Sequence, residues 1–214
     1  MNRNSGSTLL SLLVLVVLGG SVWFLYGYFT RGKPVENLAA YTKRVEAAAK
    51  TNRLAEPLKR DLAIDPDPAG FAVVVKDFMA GSSWHALPHS WAKRLPLPIA
   101  VVDLDRGQYD EIQGQLPSSA RADSIDVART IVFVRCKKNK AGQYGIVFPI
   151  IAYDLECSEL AADMKAPNGP VILAVGWAIN TPPQNINTTL TFGDVVADRP
   201  GDITNFVLSA LPPS

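Results

Sequence analysis

Very little in this chain marks a reaction. Only two histidines and two cysteines occur among 214 residues. Cys136 and Cys157 are too few for a disulfide framework and too widely spaced for a C-x-x-C site. There is no G-x-S-x-G elbow, no phosphate-cradling glycine loop and no cysteine beside a plausible base. Nothing therefore nominates a nucleophile, a base and an orienting group in one place, and no cofactor is implied. An excess of one charge is missing as well: 21 basic side chains stand against 20 acidic ones. The densest basic cluster, Lys137, Lys138 and Lys140, reads as a hairpin tip, so no nucleic-acid partner is indicated.

What the chain does have is one long apolar run. Thr8 to Phe29, TLLSLLVLVVLGGSVWFLYGYF, carries no charged side chain. As a helix it would span about 33 Å, enough for the ~30 Å hydrocarbon core of a bilayer. Trp23, Phe24, Tyr26, Tyr28 and Phe29 crowd one end as an interfacial belt, with Arg31 and Lys33 placed to snorkel. A cleaved signal peptide is the rival reading. Gly19 and Ser21 are small, but no A-x-A is present and cleavage there would leave a sticky apolar terminus. The chain is therefore read as a single-pass membrane protein, with residues 1–7 as a tail and 8–29 as the span. Arg31, Lys33, Lys43 and Arg44 outnumber the positive charges before the span, which taken literally keeps the domain inside. A short tail, one span and a long C-terminal domain are the layout of an exported protein, and that placement, outside the cytoplasm, is preferred.

Residues 30–69 read as a juxtamembrane helical stalk or linker. Val35, Leu38, Tyr41, Val45 and Ala48 recur at three and four, which predicts a helix over 34–49. Thr51 to Leu62 extends it after a break, with Pro57 near a new start. Asp65-Pro-Asp-Pro-Ala-Gly70 is a turn cluster and marks the start of a globular domain over 70–214. Within it, FAVVVKDF (71–78) reads as a β-branched strand, followed by strands at 99–104, 130–136, 144–153, 171–179 and 188–196. The segment Lys137 to Gly142 predicts a hairpin turn, with Pro149 interrupting the return strand. Asp202 can cap a closing helix in which Ile203, Phe206, Val207 and Ala210 share a face. The fold class is α+β: a mostly antiparallel sheet with helices on one side and a helix at the C-terminus.

Ile99-Ala-Val-Val-Asp-Leu-Asp, Leu116-Pro, Ala122-Asp-Ser-Ile-Asp-Val-Ala, Thr130-Ile-Val-Phe-Val and the closing helix before Leu211-Pro212 carry a resemblance. Over about residues 98–212 the chain resembles a loose group of bacterial proteins. Those are anchored by one N-terminal helix and bear a small domain of unknown function. The resemblance implies no functional residue.

Candidate chemistry is sparse. His85 and His89 have the four-residue spacing of helical metal ligands, but Pro88 lies between them and no glutamate follows His85. Asp77 or Asp103 would have to complete such a site. Trp84 and Trp91 bracket the histidines and are candidates to contact a partner, against the plainer reading that they pack under the domain. Asp103-Leu-Asp105-Arg-Gly107 has the outline of a calcium loop, yet its twelfth position is Gly114, so a strand entering a turn accounts for it better. Asn187-Thr-Thr189 fits the glycosylation sequon, which matters only in a eukaryotic secretory pathway. A turn near Asn139 would set Cys136 opposite Tyr144 or Gly145, far from Cys157, and predicts two free thiols. Together these readings favour a membrane-anchored interaction or scaffold domain with a protein partner. The alternatives are an anchored hydrolase or metal-binding protein using His85 and His89, and a small-ligand sensor.

Overall fold

The computed structural model describes residues 33–63, 68–82, 94–145, 149–185 and 193–211. No helix among these is long and apolar enough to cross a membrane, and the run at 8–29 lies outside them. The elements in order are α1 (Leu38–Lys50), α2 (Glu56–Ala63), α3 (Pro68–Ala80), β1 (Ile99–Asp103), β2 (Gln108–Tyr109), α4 (Ile112–Gln115), β3 (Thr130–Tyr144), β4 (Ile150–Asp163), β5 (Val171–Asn180), β6 (Val195–Val196) and α5 (Gly201–Ser209). The expected class, α+β with a mostly antiparallel sheet and a C-terminal helix, is what the chain forms. The sheet has six strands in the order β2-β1-β3-β4-β5, with β6 beside β4. Two pairings are parallel, β1 with β3 and β4 with β6.

The strands alternate between two cores, because successive side chains point to opposite faces, with a bulge at Ala161/Ala162 shifting the phase of β5 between Ile172 and Ala174. On one face Ala100, Val102, Ile131, Phe133, Leu160 and Ile172 meet α1, α2 and α3. On the other, Ile99, Val101, Val132, Val134, Cys157 and Ala174 meet Ile203, Phe206 and Val207 of α5. Helices thus cover both faces, where one covered face was expected. The reason is the segment 71–78, read as a strand and found as the middle of α3. Phe71, Val75, Phe78 and Met79 are buried, at 5%, 0%, 4% and 7% exposure, and their spacing is one helical stripe, while Val73 stands 57% exposed. Pro68 opens that helix, where its missing N–H costs nothing. Gly81, at φ 71°, closes it with the Schellman bonds Ser82 N–H to Asp77 C=O (3.1 Å) and Gly81 N–H to Phe78 C=O (3.3 Å). Packing of a stripe outweighed the β-propensity of three valines.

The expected stalk is also absent from its place. Val35, Val45, Ala48, Leu54 and Leu58 lie in the same core as α3 and the sheet. The stretch from Arg53 to Ala55 bonds to the edge of β5 through Ile172, whose amide donates to the Arg53 carbonyl at 3.0 Å and whose carbonyl accepts Ala55 N–H at 2.8 Å. One compact unit therefore begins at Pro34, well before the turn cluster at 65–70.

The hairpin turn lies several residues later than its polar stretch suggests. β3 continues through Lys137 to Gly142 as far as Tyr144, and only a bulge between Lys140 and Gly142 marks that stretch. Pro149 precedes β4 rather than breaking it. The register then sets Cys136 directly opposite Cys157, with Cα atoms 4.1 Å apart, and the two form a disulfide. The expectation of free thiols fails with the misplaced turn. At the C-terminus Pro200, not Asp202, occupies the N-cap of α5, and Asp202 falls in its first turn, where its charge suits the helix dipole.

Candidate functional site

The site begins where β1 stops and β3 does not. Asp103, the last residue of β1, pairs with Val134. Its carboxylate Oδ1 accepts the amides of Asp105 (2.9 Å) and Arg106 (3.0 Å), and Gly107 takes φ 62°, so the chain turns away. The strand entering a turn expected here is what forms. Beyond Val134 the β1 side of β3 has no strand beside it among the described residues, while its β4 side stays paired to Tyr144.

Strand alternation tells which groups that open edge presents. The Val134 carbonyl accepts Leu104 N–H at 2.9 Å, so even-numbered residues of β3 aim their backbone groups toward the β1 side. Cys136 opposite Cys157 is then a non-hydrogen-bonded pair, consistent with its close Cα atoms. The Cys136 amide is taken by the Asp105 carboxylate. The next outward amides, those of Lys138 and Lys140, have no bonded partner among the described residues.

Beside this edge, on the α5 face, lies a cavity of about 260 Å³. Val134, Leu155, Val196 and the Cys136 half of the disulfide give it an apolar floor. Asp103, Asp105, Asp110 and Glu111 bring negative charge, and Arg106, Lys138 and Arg199 bring positive charge. The acids are already matched. Asp110, 4% exposed in its side chain, receives Arg199 Nη1 at 2.8 and 2.9 Å, and the same nitrogen reaches Glu111 at 3.2 Å. Asp110 Oδ1 also accepts Ile112 N–H at 2.9 Å. Arg135 Nη1 donates to Asp105 at 2.8 Å, and Arg106 stands 3.6 Å from Asp103. Burial still pushes the Asp105 carboxyl up, with Arg135 pulling it the other way. Lys138 alone among the cavity cations has no acidic partner among the described residues.

Glu159 is the second unusual group. It sits on β4 between Val134 of β3 and Gly176 of β5, on the α5 face, and is 1% exposed. Burial pushes its carboxyl up to about 9, Arg199 opposes this, and Asp110 and Asp202 add to it. At neutral pH it is a protonated acid inside an apolar layer. Its Oε2, and Nε and Nη2 of Arg199, have no hydrogen-bond partner among the described residues. Arg199 and Asp110 thus act on Glu159 through their charge, with opposite signs, and not through a hydrogen bond to its Oε2.

Of the residues singled out in the sequence, His85, His89, Trp84 and Trp91 lie outside the described residues. Asp103 borders the cavity, and Asp77 sits on α3, where its carboxylate accepts the Ser82 hydroxyl at 3.2 Å. No group of three or more His, Cys, Asp or Glu side chains that could hold a metal ion occurs among the described residues. Sequence reasoning missed Glu159, Asp110 and Arg199. Only the odd presence of a glutamate in the inward register of a buried strand could have drawn attention to the first. No family model, no curated protein and no solved structure matches this chain.

Proposed function

We propose that the chain is a single-pass, membrane-anchored interaction module whose folded domain lies outside the cytoplasm and whose docking element is the open edge of β3. One observation carries the reading: ten residues of a fifteen-residue strand, from Arg135 to Tyr144, continue past their neighbour, and beyond the Cys136 amide their edge has no strand beside it among the described residues. Such an edge is a template for another strand. The uncharged run at 8–29 supports the anchor, and the Cys136–Cys157 disulfide supports an oxidising compartment. Catalysis finds little support, since both cysteines are oxidised and the charged groups of the cavity are mostly spent on one another.

A photo-crosslinking side chain at position 140, in the protein's own membrane, should trap a discrete protein adduct. The same group at Glu56, exposed on α2 away from β3, should not. Equal yields at both positions, or none at 140, would reject the docking edge. The side of the membrane is read separately. With the native cysteines oxidised, a new cysteine at exposed Ser118 should react with an impermeant thiol reagent on intact cells, and labelling only after lysis would place the domain inside.

A further inference from the structure

We infer that the open edge of β3 and the cavity beside it form one site for an extended acidic segment of a partner protein, with an Asp or Glu side chain of that segment entering the cavity to meet Lys138. The inference rests on the interaction reading above and names the partner's chemistry.

A strand added past the end of β1 would lie about 4.8 Å from β3 and take up the line that β1 abandons at Asp103. The amides and carbonyls of Lys138 and Lys140 face that line, so main-chain bonds would hold the segment whatever its sequence. Its side chains would alternate between the two faces of the sheet, and those on the α5 face would meet the cavity. The bulge after Lys140 limits the pairing to a short stretch.

Charge then selects the segment. In β3 the residues on the α5 face of the arm are Cys136, Lys138 and Lys140, and across from them stand Cys157, Leu155 and Tyr153. The acids of the arm, Glu156 and Asp154, oppose Lys137 and Asn139 and so fall on the other face, where Asn139 Nδ2 donates to Glu156 at 2.9 Å. On the α5 face the arm is purely cationic. Around the cavity, the carboxylates of half-exposed Asp105 and buried Asp110 are held by Arg135 and Arg199 at 2.8 Å, so an incoming cation would compete with guanidinium groups already in place. An incoming carboxylate displaces nothing and supplies the acid that Lys138 lacks. The volume, about 260 Å³, admits one such side chain with ordered water over the apolar floor. Lysines along an edge also repel a second copy of the same edge, which argues against self-pairing.

The test uses the full chain in detergent micelles and fluorescence anisotropy with blocked, labelled octapeptides. A Glu/Val alternating peptide should bind saturably, and a Lys/Val peptide should not. Lys138→Glu should weaken the Glu/Val peptide at least tenfold. Lys138→Pro should do the same with little change in Tm, because that amide faces outward and takes no part in the β4 ladder. Should the proline variant misfold, the Lys138→Glu/Lys140→Glu pair carries the test alone. Equal binding of the Lys/Val peptide, indifference to Lys138→Glu, or free glutamate binding as tightly as the octapeptide would each overturn the inference, the last by making the cavity a small-molecule site. An adduct at position 140 in the membrane without Glu/Val binding would sink this inference and leave the interaction reading standing. Edge-specific peptide binding without any such adduct would do the reverse.

Discussion

β3 is two strands in one. From Thr130 to Val134 every residue is buried, with β1 on one side, β4 on the other and a helical layer over each face. From Arg135 to Tyr144 the same ladder to β4 continues, but no residue is fully buried and the β1 side has no strand beside it among the described residues. The backbone conformation is shared, so what separates the halves is company. The first half is held by cores that the strand itself helps to build, and the second by a ladder, a disulfide, the contacts of Arg135 and the Cys136 amide at its start, and a hydroxyl contact from Tyr144 to the Pro183 carbonyl. A strand's energy lies in its neighbours, and a strand that outruns them is left to bind something else.

The comparison can be broken most forcefully in the first half. Phe133 is wholly buried in the core shared by the sheet with α1, α2 and α3, and Phe133→Ala should cost about 3–5 kcal/mol in urea unfolding. A cost below about 1 kcal/mol would mean that the two halves do not differ as described. Next comes the boundary between them. Replacing Cys136 and Cys157 together by alanine should cost about 3 kcal/mol, because the cross-link closes a 21-residue separation in the unfolded chain. Wild type under reductant should match the double variant. An unchanged midpoint in both would remove the disulfide as the joint between halves.

A third test sharpens the contrast through proton linkage. The folded chain keeps the Glu159 proton up to about 9, whereas an unfolded glutamate releases it near its ordinary value of 4.5. Stability from this group is complete below the lower value and is lost as pH rises toward the upper one. Between them the slope is at most about −1.4 kcal/mol per pH unit, since the folded state binds one more proton. Glu159→Gln should flatten the stability profile over that window and leave it unchanged near pH 4. Parallel profiles for the two proteins would show that Glu159 titrates normally.

Two smaller effects complete the series. Arg135, at the start of the open half, ties it to the rest through Asp105 and through the Met79 carbonyl at 3.1 Å. Its guanidinium lies over Gly81, where an added β-carbon would meet Nη1 at 2.0 Å and where φ is 71°. Gly81→Ala should therefore cost about 1–2 kcal/mol for the left-handed conformation alone, read as a lowered Tm. In the arm itself, exposed Lys140→Ala should change stability by less than about 0.5 kcal/mol. A larger loss there would mean that the arm is packed and not free.

Several parts of this organisation were readable in advance. Ile99 to Asp103 and Val171 to Asn180 form strands where runs of β-branched and small apolar residues stand between turn signals. Leu38 to Lys50 and Gly201 to Ser209 form helices where apolar residues recur at three and four. The turn at Asp105 to Gly107 was equally plain. The misreadings share a cause. FAVVVKDF has the composition of a strand and the spacing of a helix, and only the presence of α1 and the sheet to receive its stripe decided between them. The lysines at 137–140 looked like a turn because they are polar, yet a two-stranded arm in solvent is polar too. That one error moved the register and hid the disulfide.

Local chemistry, then, determined the apolar run at 8–29, the α+β character, the main strands and the closing helix, because each depends on residues adjacent in the chain. Tertiary structure alone decided that α1 belongs to the core, that helices cover both faces, that Cys136 meets Cys157, and that Glu159 is buried within range of the charges of Arg199 and Asp110. Those facts join residues far apart in the chain, 89 positions in the Asp110–Arg199 pair and 120 where Arg44 of α1 donates to the Met164 carbonyl. Burial and desolvation arise only when such distant segments close around a group, and no window of sequence contains them.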